Sequence, residues 1–258
     1  MTRAGIHYEV SGGPSPNVVF LHGVTLDATM WSAQLSAFGA RWRCLTVDLP
    51  GHGSSAPLRA GYDTTDDILG VLDEAGATDR VMVGLSLGGY EAVRFAGLQP
   101  GRCRALVLVD AWLPGPEIGG WEPPWRLARS AGRDAAMEAW LRDPLFAGAA
   151  LNPPVARALH SMVRANDLRV WTEEIPRRRG PSPRELAPAI RVPTGVVVGE
   201  HDLAGFRAVA EWLAQNIPGA RGRPVEVVAG AGHLPPMEAP EAFNRVLASM
   251  VEAGPWAS

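Results

Sequence analysis

A serine flanked by glycines is the feature of this sequence with the clearest chemical potential. Ser86 lies between Gly84 and Gly88, directly after the apolar run 80–83. Where a strand turns sharply into a helix, the serine hydroxyl stands clear of the sheet, and glycines leave room for strand and helix to pack closely. This pattern predicts nucleophilic attack by Ser86 on a carbonyl carbon, which requires a nearby base to remove the hydroxyl proton.

Candidates for the base and for a supporting acid follow later strand patterns. The apolar run 195–199 precedes Asp202, and the strand pattern 225–228 precedes His233. Loops at the carboxyl ends of parallel strands converge on one edge of a sheet, so residues that are distant in sequence meet there. The order serine, acid, histidine therefore predicts a triad of Ser86, Asp202 and His233. In such a triad the imidazole is the base, and the carboxylate fixes its tautomer.

Alternating strand and helix patterns provide the framework for these residues. Residues 6–111, and again the chain from 194 onward, predict an α/β fold with a mostly parallel sheet of about seven strands and helices on both faces. Strands are expected at 6–10, 17–21, 43–47, 80–84, 105–110, 194–199 and 224–228, and helices at 28–38, 64–75, 87–98, 204–216 and 236–252. The strand 6–10 is expected at the outer edge.

The region 113–187 interrupts this alternation. It holds no good strand candidate and is rich in proline, tryptophan, arginine and alanine. Helical patterns occur at 124–131, 134–142, 153–165 and 167–174. We expect a helical cap, or lid, inserted over the carboxyl edge of the sheet. Residues 1–112 and 188–258 would then form the core domain.

Tryptophans are concentrated in the predicted cap and at its entrance. The cap contains Trp121, Trp125, Trp140 and Trp171, and Trp112 precedes it. Large apolar rings of this kind usually anchor a small helical unit onto its domain. The alternative is an aromatic wall for an acyl or alcohol group. The candidates for such a substrate pocket are Trp112, Trp121, Trp125 and Trp140, with Thr25 and Leu234 from the core loops.

Composition excludes several classes of function. The net charge of −3 among 258 residues gives no reason to expect nucleic acid or an anionic membrane as partner. All 24 basic residues are arginine, which excludes Schiff-base and P-loop chemistry that depends on lysine. The two cysteines lie far apart in sequence, so buried free thiols are expected rather than a metal site. Neither a metal nor a cofactor is predicted.

Two further patterns concern location and partners. No apolar run approaches the ~18 residues that span a bilayer, and the first residues lack a signal core, so we expect a cytoplasmic monomer or homodimer. The arginine run 177–179 predicts a solvated edge of the cap. The alternative for this run is a docking point for an anionic carrier such as coenzyme A or an acyl-carrier protein.

Taken in order, these motifs resemble the α/β-hydrolase superfamily, and most closely its small bacterial carboxylesterases, enol-lactone hydrolases and perhydrolases. The matching segments lie within residues 6–245 and are His22-Gly23, 48–54, 84–89, the Asp202 loop and 232–234. The resemblance implies an oxyanion hole formed by the backbone N–H groups of Leu87 and Val24, with Thr25 as an alternative to Val24. It does not fix the substrate, because this fold hosts many activities.

The resemblance also leaves a choice of acid. Asp110 ends the strand 105–109 and occupies the position where some members of the superfamily keep their acid. Asp202 is preferred because it matches the commoner arrangement.

The function implied is a cofactor-free serine hydrolase of a small or medium carboxylic ester or lactone, acting through an acyl-enzyme on Ser86. Alternatives within the fold are a thioesterase, a perhydrolase and a carbon–carbon bond hydrolase. The alternative from another class is a ligand-binding receptor with vestigial turnover.

Overall fold

Seven strands form one sheet in the part of the chain that the structure describes. This computed structural model describes Thr2, residues 4–78, residues 80–115, Ile118 and residues 124–253. In chain order the strands are β1 (Tyr8–Gly12), β2 (Asn17–Leu21), β3 (Arg43–Val47), β4 (Arg80–Leu85), β5 (Ala105–Val109), β6 (Thr194–Gly199) and β7 (Glu226–Val228). Their order in the sheet is β1-β3-β2-β4-β5-β6-β7, and only β1 runs antiparallel to its neighbour.

The predicted sheet is confirmed, with differences at the ends of four strands, of which β4 ends at Leu85, one residue later than expected. β1 is the outer edge strand, as expected, but it lies two residues later than the segment 6–10. β5 ends one residue before Asp110. β7 begins at Glu226 rather than at residue 224, where Pro224 has no N–H to donate to a ladder. These shifts leave the order of the predicted loops unchanged.

Twelve α-helices are described, several joined by short 3-10 turns. They are α1 (Ser32–Phe38), α2 (Thr64–Glu74), α3 (Leu87–Leu98), α4 (Pro124–Ala131), α5 (Arg133–Trp140), α6 (Ala147–Ala150), α7 (Pro153–Ala165), α8 (Arg169–Thr172), α9 (Pro183–Leu186), α10 (Ala204–Asn216), α11 (Pro235–Glu238) and α12 (Pro240–Ala253). The helix predicted over 236–252 is divided because Pro240 forces Ala239 out of helical geometry, at φ −137° and ψ +60°.

Apolar side chains cover both faces of the sheet, as buried parallel strands require. On one face, Val18, Val83 and Val107 pack with the rings of Trp31 and Phe243. On the other face, residues such as Val19, Met82 and Leu106 pack with side chains of α2, α3 and α10. The buried core therefore holds β2, β4, β5 and β6 in fixed register, and the loops at their carboxyl ends share one edge.

A helical segment, residues 124–186, lies between β5 and β6. Its described residues form helices and turns, and its one β-type contact is an isolated bridge between Arg177 and Tyr62. The Gly61 N–H donates to the Pro176 carbonyl at 2.8 Å, and the Arg178 N–H donates to the Tyr62 carbonyl at 2.9 Å. The segment is thereby joined to the loop that precedes α2.

The sequence-based prediction of a solvated edge is wrong for Arg177, whose side chain is 21% exposed, whereas the Arg178 side chain is 54% exposed. Arg177 donates to both carboxylate oxygens of the buried Glu91, at 2.8 and 2.6 Å. Arg178 pairs with Asp63 and Asp66 at 2.7 Å each. A charge run in sequence does not reveal carboxylates that a distant helix supplies. Carboxylates of the chain itself pair with both guanidinium groups. The structure therefore gives no support for the docking of an anionic carrier at Arg177 and Arg178.

Two smaller predictions are also tested by the structure. Cys44 and Cys103 are buried free thiols, as expected, and burial raises their pKa to about 11 and about 12. None of the helices in the described residues is long and apolar enough to cross a membrane.

Candidate active site

Ser86 lies at the turn between β4 and α3 in a strained backbone conformation, with φ +52° and ψ −111°. Such a conformation costs about 1–3 kcal/mol and persists only where the surroundings impose it. Three backbone hydrogen bonds do so. The Ser86 N–H donates to the Val109 carbonyl at 3.0 Å, and the Ser86 carbonyl accepts from the N–H groups of Tyr90 and Trp112 at 3.0 and 3.1 Å.

The glycines beside Ser86 are required by close backbone contacts. A Cβ at Gly84 would lie 2.3 Å from the Gly88 carbonyl oxygen, and a Cβ at Gly88 would lie 2.1 Å from the Leu21 carbonyl oxygen. Any side chain at either position would separate β4 from α3, or α3 from β2. The glycine spacing in the sequence therefore reports a real packing constraint around the serine.

His233 and Asp202 are joined by a buried hydrogen bond of 2.9 Å between Nδ1 and Oδ2. The Asp202 carboxylate also accepts from the Leu203 N–H at 2.7 Å. Burial opposes ionisation of Asp202, but the neighbouring imidazole and these hydrogen bonds outweigh it and lower the pKa of the carboxyl. The ring of Phe206 packs edge-on against the imidazole, with centroids 4.4 Å apart. With Nδ1 committed to Asp202, Nε2 is the nitrogen left for proton transfer.

Glu238 holds the loop that carries His233, a role that the sequence analysis missed. Its carboxylate accepts from the backbone N–H groups of Gly232 and Leu234, on either side of the histidine. Burial raises the pKa of Glu238, although these hydrogen bonds oppose the shift. The available signal was an acid in the first turn of a helix beginning directly after the histidine.

Asp110 lies beside the pair but does not contact the imidazole by a hydrogen bond. It is fully buried, has φ +40°, and accepts from the Gly199 N–H at 2.9 Å, while its other oxygen has no hydrogen-bond partner among the described residues. Burial, and then repulsion from Asp202, raise the pKa of Asp110 well above its ordinary value. The structure thus joins His233 to Asp202, and leaves Asp110 beside the pair in surroundings that favour its neutral form.

Among the described residues, one group has ligand atoms close enough together to hold a metal ion. It consists of Asp110, Asp202 and His233, whose ligand atoms lie within 4.8 Å of one another. A metal ligand must be deprotonated. Burial raises the pKa of the Asp110 carboxyl and so opposes its deprotonation, and Asp202 and His233 are already hydrogen-bonded to each other. The donor set therefore fits a hydrogen-bonded relay better than a metal site.

Two backbone N–H groups stand beside Ser86 on the same cavity. Val24 follows β2, and Leu87 is the first residue of α3, at the positive end of the helix dipole. Neither N–H donates a hydrogen bond to any atom of the described chain. The loop before Val24 is fixed by His22, whose Nδ1 bonds the Gly23 carbonyl at 2.8 Å and whose Nε2 accepts from the Leu49 N–H at 2.9 Å.

One apolar cavity of about 180 Å³ joins these elements. Ser86 and His233 both line it, although no hydrogen bond links the serine hydroxyl to the imidazole. Catalytic hydrogen bonds of this kind are often long without substrate. The other residues that line the cavity are Gly23, Val24, Leu26, Leu85, Leu87, Trp112, Trp125, Trp140, Leu145, Phe146, Val170, Trp171, Phe206 and Leu234.

Of the predicted pocket residues that the structure describes, all but Thr25 line the cavity. Trp112, Trp125, Trp140 and Leu234 line the cavity, and Trp121 lies outside the described residues. Thr25 does not line it, because its hydroxyl is turned toward the Val24 carbonyl and Trp140. The sequence analysis left seven lining side chains out of the pocket: Leu26, Leu85, Leu145, Phe146, Val170, Trp171 and Phe206. Their types gave no signal, since apolar residues serve the buried core equally well.

Many known proteins are similar to this chain in sequence or in fold. A pimeloyl-[acyl-carrier protein] methyl ester esterase of Nitrosomonas europaea is 27% identical, over 93% of this chain and 97% of that protein. The carboxylesterase YbfK of Bacillus subtilis is 25% identical, over 98% of this chain and 86% of its own. The crystal structure of an enol-lactonase from Burkholderia xenovorans superimposes with a TM-score of 0.80 at 28% identity, covering 95% of this chain and 96% of the other.

A family model agrees with these likenesses. The model described as the alpha/beta hydrolase family matches residues 18–246, from the second residue of β2 to the middle of α12, and includes every candidate site residue discussed above. The chain belongs to the alpha/beta hydrolase family.

Proposed function

We propose that this chain is a serine hydrolase that cleaves a small or medium carboxylic ester or lactone. The observation that carries the proposal is the buried hydrogen bond between His233 and Asp202 on the cavity that Ser86 lines. Strain at Ser86 and the two unengaged N–H groups beside it support the same assignment. Relatives named as a carboxylesterase and an enol-lactonase agree with the proposed substrate class.

The mechanism follows from these roles. His233 Nε2 takes the proton of the Ser86 hydroxyl as the oxygen attacks the substrate carbonyl, and Asp202 stabilises the imidazolium that forms. The N–H groups of Val24 and Leu87 receive the negative oxygen, each worth about 3–4 kcal/mol in the transition state. His233 then returns the proton to the leaving alcohol. A water molecule deprotonated by the same imidazole releases the acid from Ser86.

The cavity supports a restricted substrate. Its volume of about 180 Å³ is close to that of the engineered 150 Å³ apolar cavity that accommodates benzene. Apart from Ser86 and His233, its lining side chains are aliphatic or aromatic. A short aliphatic or single-ring acyl group fits this space. A charged acyl group would lose its hydration without gaining a partner.

We also propose that residues 113–187 act as a cap on a core formed by 1–112 and 188–258. The supporting observation is that α5 and α8 supply Trp140, Val170 and Trp171 to the cavity. These side chains close the space above Ser86, so the cap would exclude water from the reacting carbonyl.

The test is turnover of p-nitrophenyl acetate and butyrate, alongside a panel of small lactones. We expect a burst of p-nitrophenol equal to the enzyme concentration, and loss of both burst and turnover in Ser86→Ala. Ser249→Ala is the matched control, because that serine lies on α12 and its hydroxyl bonds only the Val246 carbonyl. An organophosphonate probe should label the wild type and the control, but not Ser86→Ala. Tight binding of these compounds without turnover by the wild type would contradict the proposal and indicate a receptor.

A further inference from the structure

Thr25 has a backbone conformation that its residue type disfavours. It is fully buried and has φ +63°, in the left-handed region where a β-branched residue is a genuine outlier. Strain of this kind persists only when neighbouring contacts impose it, and it is concentrated at functional sites. The contacts that impose it here involve the Thr25 hydroxyl.

The Thr25 hydroxyl connects two parts of the molecule. It donates to the Val24 carbonyl at 2.6 Å and accepts from the indole N–H of Trp140 at 2.8 Å. The first bond fixes the peptide group between Val24 and Thr25. The second comes from the end of α5, in the helical segment. The loop after β2 is thus held by the side chain of Trp140, which belongs to the helical segment and not to the sheet.

The peptide group before Val24 is fixed separately, from the core. Its carbonyl, that of Gly23, bonds His22 Nδ1 at 2.8 Å and accepts from the Leu26 N–H at 3.2 Å. Because a peptide group is planar and trans, orienting this carbonyl also orients the Val24 N–H on the opposite side. His22 therefore holds the peptide group that carries the Val24 N–H, while Thr25 and Trp140 hold the peptide group that follows it, so the position of Val24 depends on both contacts.

Trp140 is itself held rigidly within the helical segment. Its ring makes edge-to-face contacts with Phe146 and Trp171, with centroids 4.8 and 5.5 Å apart. It is buried and also lines the cavity beside Ser86. A single side chain therefore shapes the cavity and contacts the loop that carries the Val24 N–H.

We propose that Trp140 and Thr25 are positioning residues that hold the Val24 N–H in line with the oxygen that becomes negative during the reaction. The inference rests on the proposed function, since it concerns the oxyanion donors of that reaction. It adds that the helical segment sets the geometry of a catalytic loop as well as covering the cavity. Displacing the N–H weakens its hydrogen bond to the negative oxygen of the transition state more than its contact with the bound substrate. The displacement should therefore lower kcat and leave KM nearly unchanged.

The experiment compares Thr25→Val with Thr25→Ser. Valine keeps the shape but removes the hydroxyl, and we expect kcat to fall by about 10- to 100-fold with KM changed less than about threefold. Serine keeps the hydroxyl and should restore kcat to within about threefold of the wild type. A merely structural role for the hydroxyl would lower the fraction of folded enzyme, which active-site titration with the phosphonate probe measures separately.

Trp140→Phe completes a double-mutant cycle. It should lower kcat on its own, but it should have no further effect on kcat in the Thr25→Val background, because the contact is already lost there. Trp42→Phe is the matched control, since it also removes a buried, hydrogen-bonded indole N–H but at a ring that does not line the cavity, so it should leave kcat largely unchanged. Independent, multiplying losses in the double variant would overturn the inference, as would full kcat in Thr25→Val. Absence of turnover in the wild type would instead overturn the proposed function.

Discussion

The loops at the edge of the sheet and the helical segment above them are fixed by different kinds of contact. Ser86 is held by three backbone hydrogen bonds, and the N–H groups flanking His233 are held by Glu238. The helical segment has two backbone hydrogen bonds to residues 61–62, and its other attachments to the core are side-chain contacts, notably Trp140 on Thr25 and Arg177 on Glu91. Backbone contacts survive most substitutions, whereas these side-chain contacts depend on particular residue types.

This difference explains how one fold supports many substrates. Reactive groups placed by the sheet keep their geometry while the residues that shape the cavity are exchanged. Substitutions among the loops should therefore reduce activity and leave stability nearly intact. Substitutions at the side-chain contacts should change stability or cavity shape, except at Trp140 and Thr25, where they should lower kcat through the loop that carries the Val24 N–H. The three predictions below test that division.

The largest effect is expected for the acid of the triad. Asp202→Asn should lower kcat with p-nitrophenyl butyrate by about 10,000-fold, because an amide can hold the wrong imidazole tautomer and does not stabilise the imidazolium. Asp110→Asn should lower it by less than about tenfold, because Asp110 does not hydrogen-bond the imidazole and burial favours a neutral side chain at this position. Urea unfolding of both variants gives the control for folding. The reverse ranking of the two variants would show that Asp110 is the acid.

The fold and the residues that meet at the sheet edge were accessible from the sequence because their signals are local. The strand patterns ending before Ser86, Asp202 and His233 predict loops, and parallel strands bring such loops together. The glycine spacing around Ser86 reflects contacts with immediate neighbours and with β2. In each case the residue and its structural constraint lie within a few positions of each other, or follow from the sheet itself.

The contacts that escaped prediction are pairwise and distant. Glu91 and Arg177 are separated by 86 positions, and Trp140 and Thr25 by 115. Nothing in either local pattern distinguishes a paired arginine from a solvated one, or a tryptophan with a specific acceptor from one that only packs. The helical segment was therefore predicted as a set of helices, while its attachment to the core was not.

The second prediction concerns that attachment. Arg177→Leu should lower the free energy of unfolding by about 3 kcal/mol, because it leaves the buried Glu91 carboxylate without its bidentate partner. Arg178→Leu is the matched control. Arg178 is 54% exposed at its side chain and pairs with Asp63 and Asp66, so its loss should cost no more than about 1 kcal/mol.

A double variant separates the ion pair from the packing of the arginine stem. Replacing both Glu91 and Arg177 by leucine should recover most of the lost stability, because the uncompensated charge is removed. Urea unfolding at pH 7 measures all four proteins. Equal losses for Arg177→Leu and Arg178→Leu would contradict the idea that this contact, rather than the surface charge of the run, seats the helical segment.

The smallest effect on stability is expected at Asp67, which lies in the first turn of α2 within the electrostatic influence of Glu91. Burial, followed by repulsion from Asp66, Asp63 and Glu91, raises its pKa from 3.8 to about 6. Ionised Asp67 is therefore unfavourable in the folded state at neutral pH. Asp67→Asn should raise the free energy of unfolding at pH 7.5 by about 1 kcal/mol, after allowance for the partial exposure of the carboxyl and its favourable place near the helix start.

The dependence on pH identifies the cause of that gain. Because the folded pKa of Asp67 lies above the unfolded value, the folded protein binds more protons between pH 3.8 and about 6. Its contribution to stability is complete below pH 3.8 and is lost as the pH rises through about 6. The advantage of Asp67→Asn should therefore be present at pH 7.5 and absent at pH 4, in chemical denaturation at both values. An equal gain in stability at the two pH values would assign the effect to helix propensity. It would contradict the idea that ionised Asp67 is repelled by Asp66, Asp63 and Glu91.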